Sequence, residues 1–216
     1  MSTAVRALLL AALLTLVPVA VGVSVADDPT TAPAPVPSYV ATPLSAFDST
    51  AAVVRRAPFC TVVPAAAAKQ ALGVPAVATA YGNGQTLPSL RSLPRGDVAH
   101  EYGCVISPAE RGAPAEARAW VFVPPVTTAR ARSLAAAARA ERGCTPATGA
   151  PAFGSPTVAL LCTAGTTRTA SYRGLFGDAW FSCSLTLPVS LPPADLLDRA
   201  GTWCVAAARA AGRSSS

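Results

Sequence analysis

The sequence predicts an α+β domain: an antiparallel sheet of about five to six strands, three helices packed on it, and three disulfides. Three observations predict it. Short extended runs come in groups, separated by Ala-rich stretches with helical spacing, in the order strand, helix, two strands, helix, three strands, helix. Six cysteines are spread through that pattern. The chain also opens on a leader-like apolar stretch, which would deliver those cysteines to an oxidising compartment.

The chain has 216 residues, room for one folded domain beyond a leader and a linker. Sixteen arginines stand against one lysine, and alanine and proline are abundant, a bias of the kind a GC-rich actinobacterial genome produces. A net charge of +6 suits contact with anionic wall polymers or lipid headgroups. It argues little for nucleic acid, because Arg55, Arg56, Arg91, Arg95, Arg130, Arg132, Arg139 and Arg142 are scattered, with no interleaved aromatic platform.

Residues 1–26 read as a secretory leader. Arg6 flanks an uncharged apolar run over residues 7–25, and Ser24-Val25-Ala26 offers small residues for a signal peptidase. The same run is long enough to span a bilayer, so an uncleaved membrane anchor is the alternative. No cysteine follows it closely, which sets a lipid anchor aside. Residues 27–43, rich in Pro, Ala and Thr, read as an extended tether outside the core. The folded domain is expected over residues 44–211, and 212–216 as a disordered tail.

Within the domain, Phe47 to Arg55 alternates as a half-buried strand. In Phe59 to Gly73 (FCTVVPAAAAKQALG), Pro64 suits a first helical residue, the alanines carry the helix, and Gly73 suits a left-handed cap. Val74 to Asp97 reads as loop, with a turn at Gly82-Asn83-Gly84. His100 to Ile106 and Ala117 to Val123 read as a hairpin, with Ala117, Ala119, Val121 and Val123 on one face and Trp120 and Phe122 on the other. Thr127 to Arg142 is a capped helix ended by Gly143, its thin apolar face using Leu134, Ala137 and Ala138. Strands are expected at Thr157–Thr163, Thr167–Tyr172 and Ala179–Leu187. A last helix follows Pro192-Pro193, with Leu196, Ala200, Trp203, Cys204 and Ala207 at helical spacing.

Six cysteines allow fifteen pairings, and spacing alone selects none of them. The expectation is sequential: Cys60–Cys104, Cys144–Cys162 and Cys183–Cys204, each clipping a helix end to the sheet. With no CxxC and a single histidine, a zinc site is not expected, and no cofactor is implied. His100-Glu101 is the obvious candidate for acid–base work, but neighbouring strand residues point to opposite faces. In Gly174 to Trp180, Asp178 could line a ligand pocket with His100, Tyr102 and Trp180, although an Asp there commonly serves a turn. No GxSxG nucleophile and no complete phosphate-binding glycine loop is present.

The FCTVVPAAAAKQALG opening, then YGCVI, then AWVFVPP and a long Ala-rich helix resembles the actinobacterial envelope proteins of unknown function related to Lpq-type lipoproteins. The outline is also similar to the extracellular sensor domains of mycobacterial receptor kinases. The resemblance covers about residues 47–210 and implies a sheet flanked by helices in the Mog1/PsbP manner. It supplies no catalytic residue. The expected function is therefore an exported, monomeric, non-catalytic envelope module. Its partner would be an unidentified envelope component or a small apolar ligand, with membrane contact only through an uncleaved N-terminal segment. The alternative is a secreted enzyme using His100 with Asp178 or Glu101.

Overall fold

Cys60 opens a short 3-10 turn (Cys60–Val62) that delivers the chain to the first helix, α1 (Ala65–Leu72). This computed structural model describes residues 39–90, 93–110 and 114–213; the expected leader, the linker up to residue 38 and the final three serines lie outside them. Pro64 stands as the N-cap of α1, one position before the expected place, and its carbonyl accepts from the Ala67 and Ala68 amides. Gly73 closes the helix at φ 77°, where a β-carbon is disfavoured, and its amide donates to Lys69 O.

The remaining elements are β1 (Ala76–Tyr81), β2 (Glu101–Pro108), β3 (Glu116–Phe122), α2 (Thr128–Arg139), β4 (Cys144–Pro146), β5 (Thr157–Ala164), β6 (Thr167–Phe176), β7 (Ala179–Pro188) and α3 (Pro193–Arg213). The strands form one antiparallel sheet of seven in the order β1-β2-β3-β7-β6-β5-β4. β3 lies against β7, so the α2 connection carries the chain from the middle of the sheet to its far edge.

Each face is covered differently. Ala117, Ala119 and Val121 of β3 and Phe181, Cys183 and Leu185 of β7 point to one face. There they meet Leu196, Ala200, Trp203, Cys204 and Ala207 of α3, all buried as the helical spacing requires. On the other face α2 sets Ala131, Ala135 and Ala138 on Val158, Leu160, Leu175 and Trp180. The segment after β1 folds back, with Gly84 N donating to Ala99 O and Leu87 N to Asp97 O. Leu87 and Leu93 thereby pack beside Tyr81 and Val105. Thr127 caps α2 through Oγ1, which accepts from the Arg130 amide at 3.2 Å.

The cysteines form Cys60–Cys104, Cys144–Cys162 and Cys183–Cys204, with Cα separations of 5.0, 4.0 and 5.6 Å, which is the sequential set. The first joins the turn before α1 to β2, the second lies directly across β4 and β5, and the third ties β7 to α3.

Several expectations need correcting. The sheet has seven strands, not five to six. Phe47 to Arg55 is not a strand: the Asp48 carboxylate accepts from Thr50 N at 2.9 Å, Thr50 Oγ1 at 2.6 Å and Ala51 N at 3.2 Å, and that local turn overrides the alternation. The stretch read as loop contains β1, an edge strand whose alanines carry little strand propensity and whose Val77 stays exposed. In α2, Ala137 is exposed; Ala131 and Ala135 serve with Ala138 instead. Finally, part of the stretch expected as tether is packed on the domain, among it Tyr39 and Thr42. Thr42 accepts from Arg209 Nη1 at 2.7 Å, the Arg209 guanidinium lies 5.8 Å from the Phe47 ring centroid, and Leu44 is buried. At the other end, α3 continues through Gly212 and Arg213.

Beneath α3, the Tyr172 hydroxyl donates to Leu197 O at 3.3 Å. Burial, helped by the charge of Asp198, pushes this hydroxyl up to about 12 from its usual 10. The folded state thus keeps a proton that the unfolded chain releases above pH 10, so stability falls as pH rises from 10 toward 12. The Tyr81 hydroxyl, also raised by burial, adds in the same direction. Denaturant midpoints followed from pH 9 to 12 should drop in the wild type. Tyr172→Phe should remove about 2 kcal/mol of that fall. Identical slopes for the two proteins would show that Tyr172 ionises as freely in the fold as outside it.

Candidate functional site

The residues singled out from sequence divide between two places. At one end of the sheet, exposed His100 uses its carbonyl to accept from Val123 N at 3.1 Å. The Val123 carbonyl accepts from Arg56 Nη1 at 2.7 Å, and Arg56 Nη2 reaches Asp178 Oδ2 at 3.0 Å. Asp178 therefore serves the rim as the partner of Arg56, while its own carbonyl accepts from Val126 N. Tyr102 and Trp180 do not join them in one pocket. Tyr102 packs on the α1/α3 face and Trp180 under α2, on opposite sides of the sheet.

Glu101 is likewise engaged. Its Oε1 accepts from Tyr81 OH and from Arg118 Nη2, both at 2.9 Å, and Arg118 Nη2 also donates to Tyr81 OH at 2.8 Å. This trio joins β1, β2 and β3 and commits the carboxylate to Tyr81 and Arg118. Glu141 sits beside Cys144 and Cys162, a grouping with metal-like spacing. Those sulfurs are bonded to each other and offer no thiolate, while both Glu141 oxygens accept from Arg173, at 2.6 and 2.9 Å.

The concave feature lies elsewhere, between α1 and α3. It holds about 460 Å³ and is lined by Ala67, Gln70 and Ala71 of α1, by Asp195, Asp198, Arg199, Thr202 and Trp203 of α3, and by Tyr39. The helical register explains the set. Gln70 lies three residues beyond Ala67, and Asp195, Asp198 and Thr202 recur at i, i+3 and i+7 on α3, so each group shares one helix face. The floor is apolar: Ala67, Ala71 and Trp203 are all buried. Trp203 is fixed by its indole N–H, which donates to Arg118 O at 3.4 Å.

The rim is polar. Arg199 Nε donates to Gln70 O at 2.9 Å, and its guanidinium lies against Gly73, so it satisfies one carbonyl in the last turn of α1 and clamps the two helices together. No hydrogen-bond or ion-pair partner holds the side chains of Gln70, Asp195 or Asp198, or the Tyr39 hydroxyl, among the described residues. Burial pushes the Tyr39 hydroxyl above its ordinary pKa, with Arg209 opposing the shift. Tyr39 also closes a smaller hollow of about 140 Å³ with Thr42, Pro64, Val205, Ala206 and Arg209.

Comparison with protein-family models and with curated proteins finds no match. The cleft's own chemistry is therefore the guide to function. Sequence reasoning missed it because its polar residues belong to two helices far apart in the chain and to a segment that reads as tether. The one available signal was the Asp195, Asp198 and Thr202 spacing next to the buried stripe of the last helix.

Proposed function

We propose that this chain is an exported cell-envelope binding module, non-catalytic, whose ligand occupies the cleft between α1 and α3. The observation that carries the reading is the cleft itself: about 460 Å³, within the range of small-molecule sites, with an apolar floor and polar rim groups that the fold leaves uncommitted. The expected small apolar ligand would rest on that floor, and the rim adds polar anchoring. Three disulfides support an oxidising compartment outside the cytoplasm. Among the described residues no helix is long and apolar enough to cross a membrane. The groups an enzyme would need, Asp178 and Glu101, are committed to Arg56 and to Arg118 with Tyr81, which favours binding over catalysis.

Native mass spectrometry of protein gently purified from its host tests this. A reproducible extra mass should appear, be lost on denaturation, and be absent from a Thr202→Trp variant in which the indole fills the cleft. An adduct that persists in Thr202→Trp would place the ligand elsewhere. Bare protein in both samples would move the reading to a protein or wall partner.

A further inference from the structure

We infer that the α1/α3 cleft takes a small organic cation with an apolar body, its ammonium group held by Asp195 and Asp198. The inference rests on the cleft being the binding site, and three features set the ligand's charge. First, the two carboxylates sit one helical turn apart on the same wall, and neither has an ion-pair partner among the described residues. Asp195, in the first turn of α3, also favours the helix dipole; Asp198, a turn further on, has no such structural use.

Second, among the described residues the only cation lining the cleft is Arg199, and its guanidinium is turned onto the C-terminus of α1 at Gln70 O and Gly73. The cleft is thus locally acidic in a chain whose net charge is +6, the reverse of what composition alone would place there.

Third, the walls suit the rest of such a ligand. An ammonium between the carboxylates could donate also to the Gln70 amide oxygen or to Thr202 Oγ1, which itself donates to Asp198 O at 3.0 Å. Its apolar body would lie over Ala67, Ala71 and Trp203 toward the Tyr39 ring, and an aromatic wall next to a cation adds attraction. An anion would meet like charge, and a neutral ligand would leave the two carboxylates without a counter-charge.

The test titrates the full chain by calorimetry with three probes of one length: n-hexylamine, n-hexanol and n-hexanoate. The amine should bind about ten-fold more tightly than either of the others, the preference one well-placed charge-assisted contact gives. Asp195→Asn/Asp198→Asn should erase that preference while leaving the thermal midpoint within a few degrees of wild type. Equal affinity for amine and alcohol, no amine binding, or an amine preference that survives the double substitution would each overturn the inference. Thr202→Trp separates the two levels of the argument. Loss of alcohol binding in that variant keeps the cleft as the site even where the cation preference fails. Unchanged binding of all three probes removes the site itself.

Discussion

Replacing Cys60 and Cys104 together by alanine is expected to cost about 4 kcal/mol of stability, more than opening either of the other disulfides. The bond closes a loop of 44 residues, the longest of the three; the others close 21 and 18. Loop-closure entropy alone gives about 4 kcal/mol for the first and about 3 for the others, since the dependence on length is logarithmic. Environment widens the gap to the edge disulfide: Cys60 and Cys104, like Cys183 and Cys204, are buried in the main core, whereas Cys144 and Cys162 are half exposed at the sheet edge, where alanine leaves little cavity. Only the Cys60–Cys104 loop encloses α1 and β1, so its loss also frees one wall of the cleft from the sheet. Urea unfolding of the three double variants without reductant checks this. The Cys60/Cys104 variant should have the lowest midpoint, and a midpoint equal to that of the Cys144/Cys162 variant would show that α1 is held by packing alone.

The parts of this fold that could be read from sequence are those in which a local signal and the tertiary environment agree. The β2–β3 hairpin is one: Ala117, Ala119 and Val121 alternate with Arg118, Trp120 and Phe122, and the sheet buries the first set completely while the second is half exposed. The last helix is another, since Leu196, Ala200, Trp203 and Ala207 follow the helical period and are all buried. Legibility failed where two signals competed. Phe47–Arg55 alternates like a strand, but Asp48 can bond its own backbone more cheaply than it can join a sheet. AVATAY is a strand because β2 offers it an edge to pair with, a fact no residue within it encodes. The cleft was the least legible, for the same reason. Asp195 and Asp198 look like ordinary solvated helix residues until α1 is packed alongside, and Tyr39 sits in a stretch whose prolines announce a tether.

Gly174→Ala is expected to destabilise the protein by more than about 3 kcal/mol, although it adds a single methyl group in a strand. The reason is a backbone crossing. The chain before β5 passes over β6 at this point, held by Ser155 N to Leu175 O at 2.8 Å and Leu175 N to Pro156 O at 3.1 Å. A β-carbon on Gly174 would fall on the Phe153 carbonyl oxygen and 2.6 Å from its carbonyl carbon, so backbone and not a pliable side chain would have to move. That movement would withdraw the Phe153 ring, which lies 5.0 Å from Phe176, 5.9 Å from Phe181 and 6.2 Å from Tyr172 between ring centroids. Phe153 is fully buried, and the aromatic cluster it completes supports α3, the wall that carries Asp195 and Asp198. Gly165→Ala, in the β5–β6 turn, is the control. Its φ of 57° makes alanine cost about 1 kcal/mol, but nothing lies within 4 Å of the added carbon. Thermal midpoints should therefore fall about 10 °C for Gly174→Ala and only a few degrees for Gly165→Ala. Equal losses would mean that the segment carrying Phe153 can lift off β6 freely, and that the aromatic cluster does not brace the cleft-bearing helix.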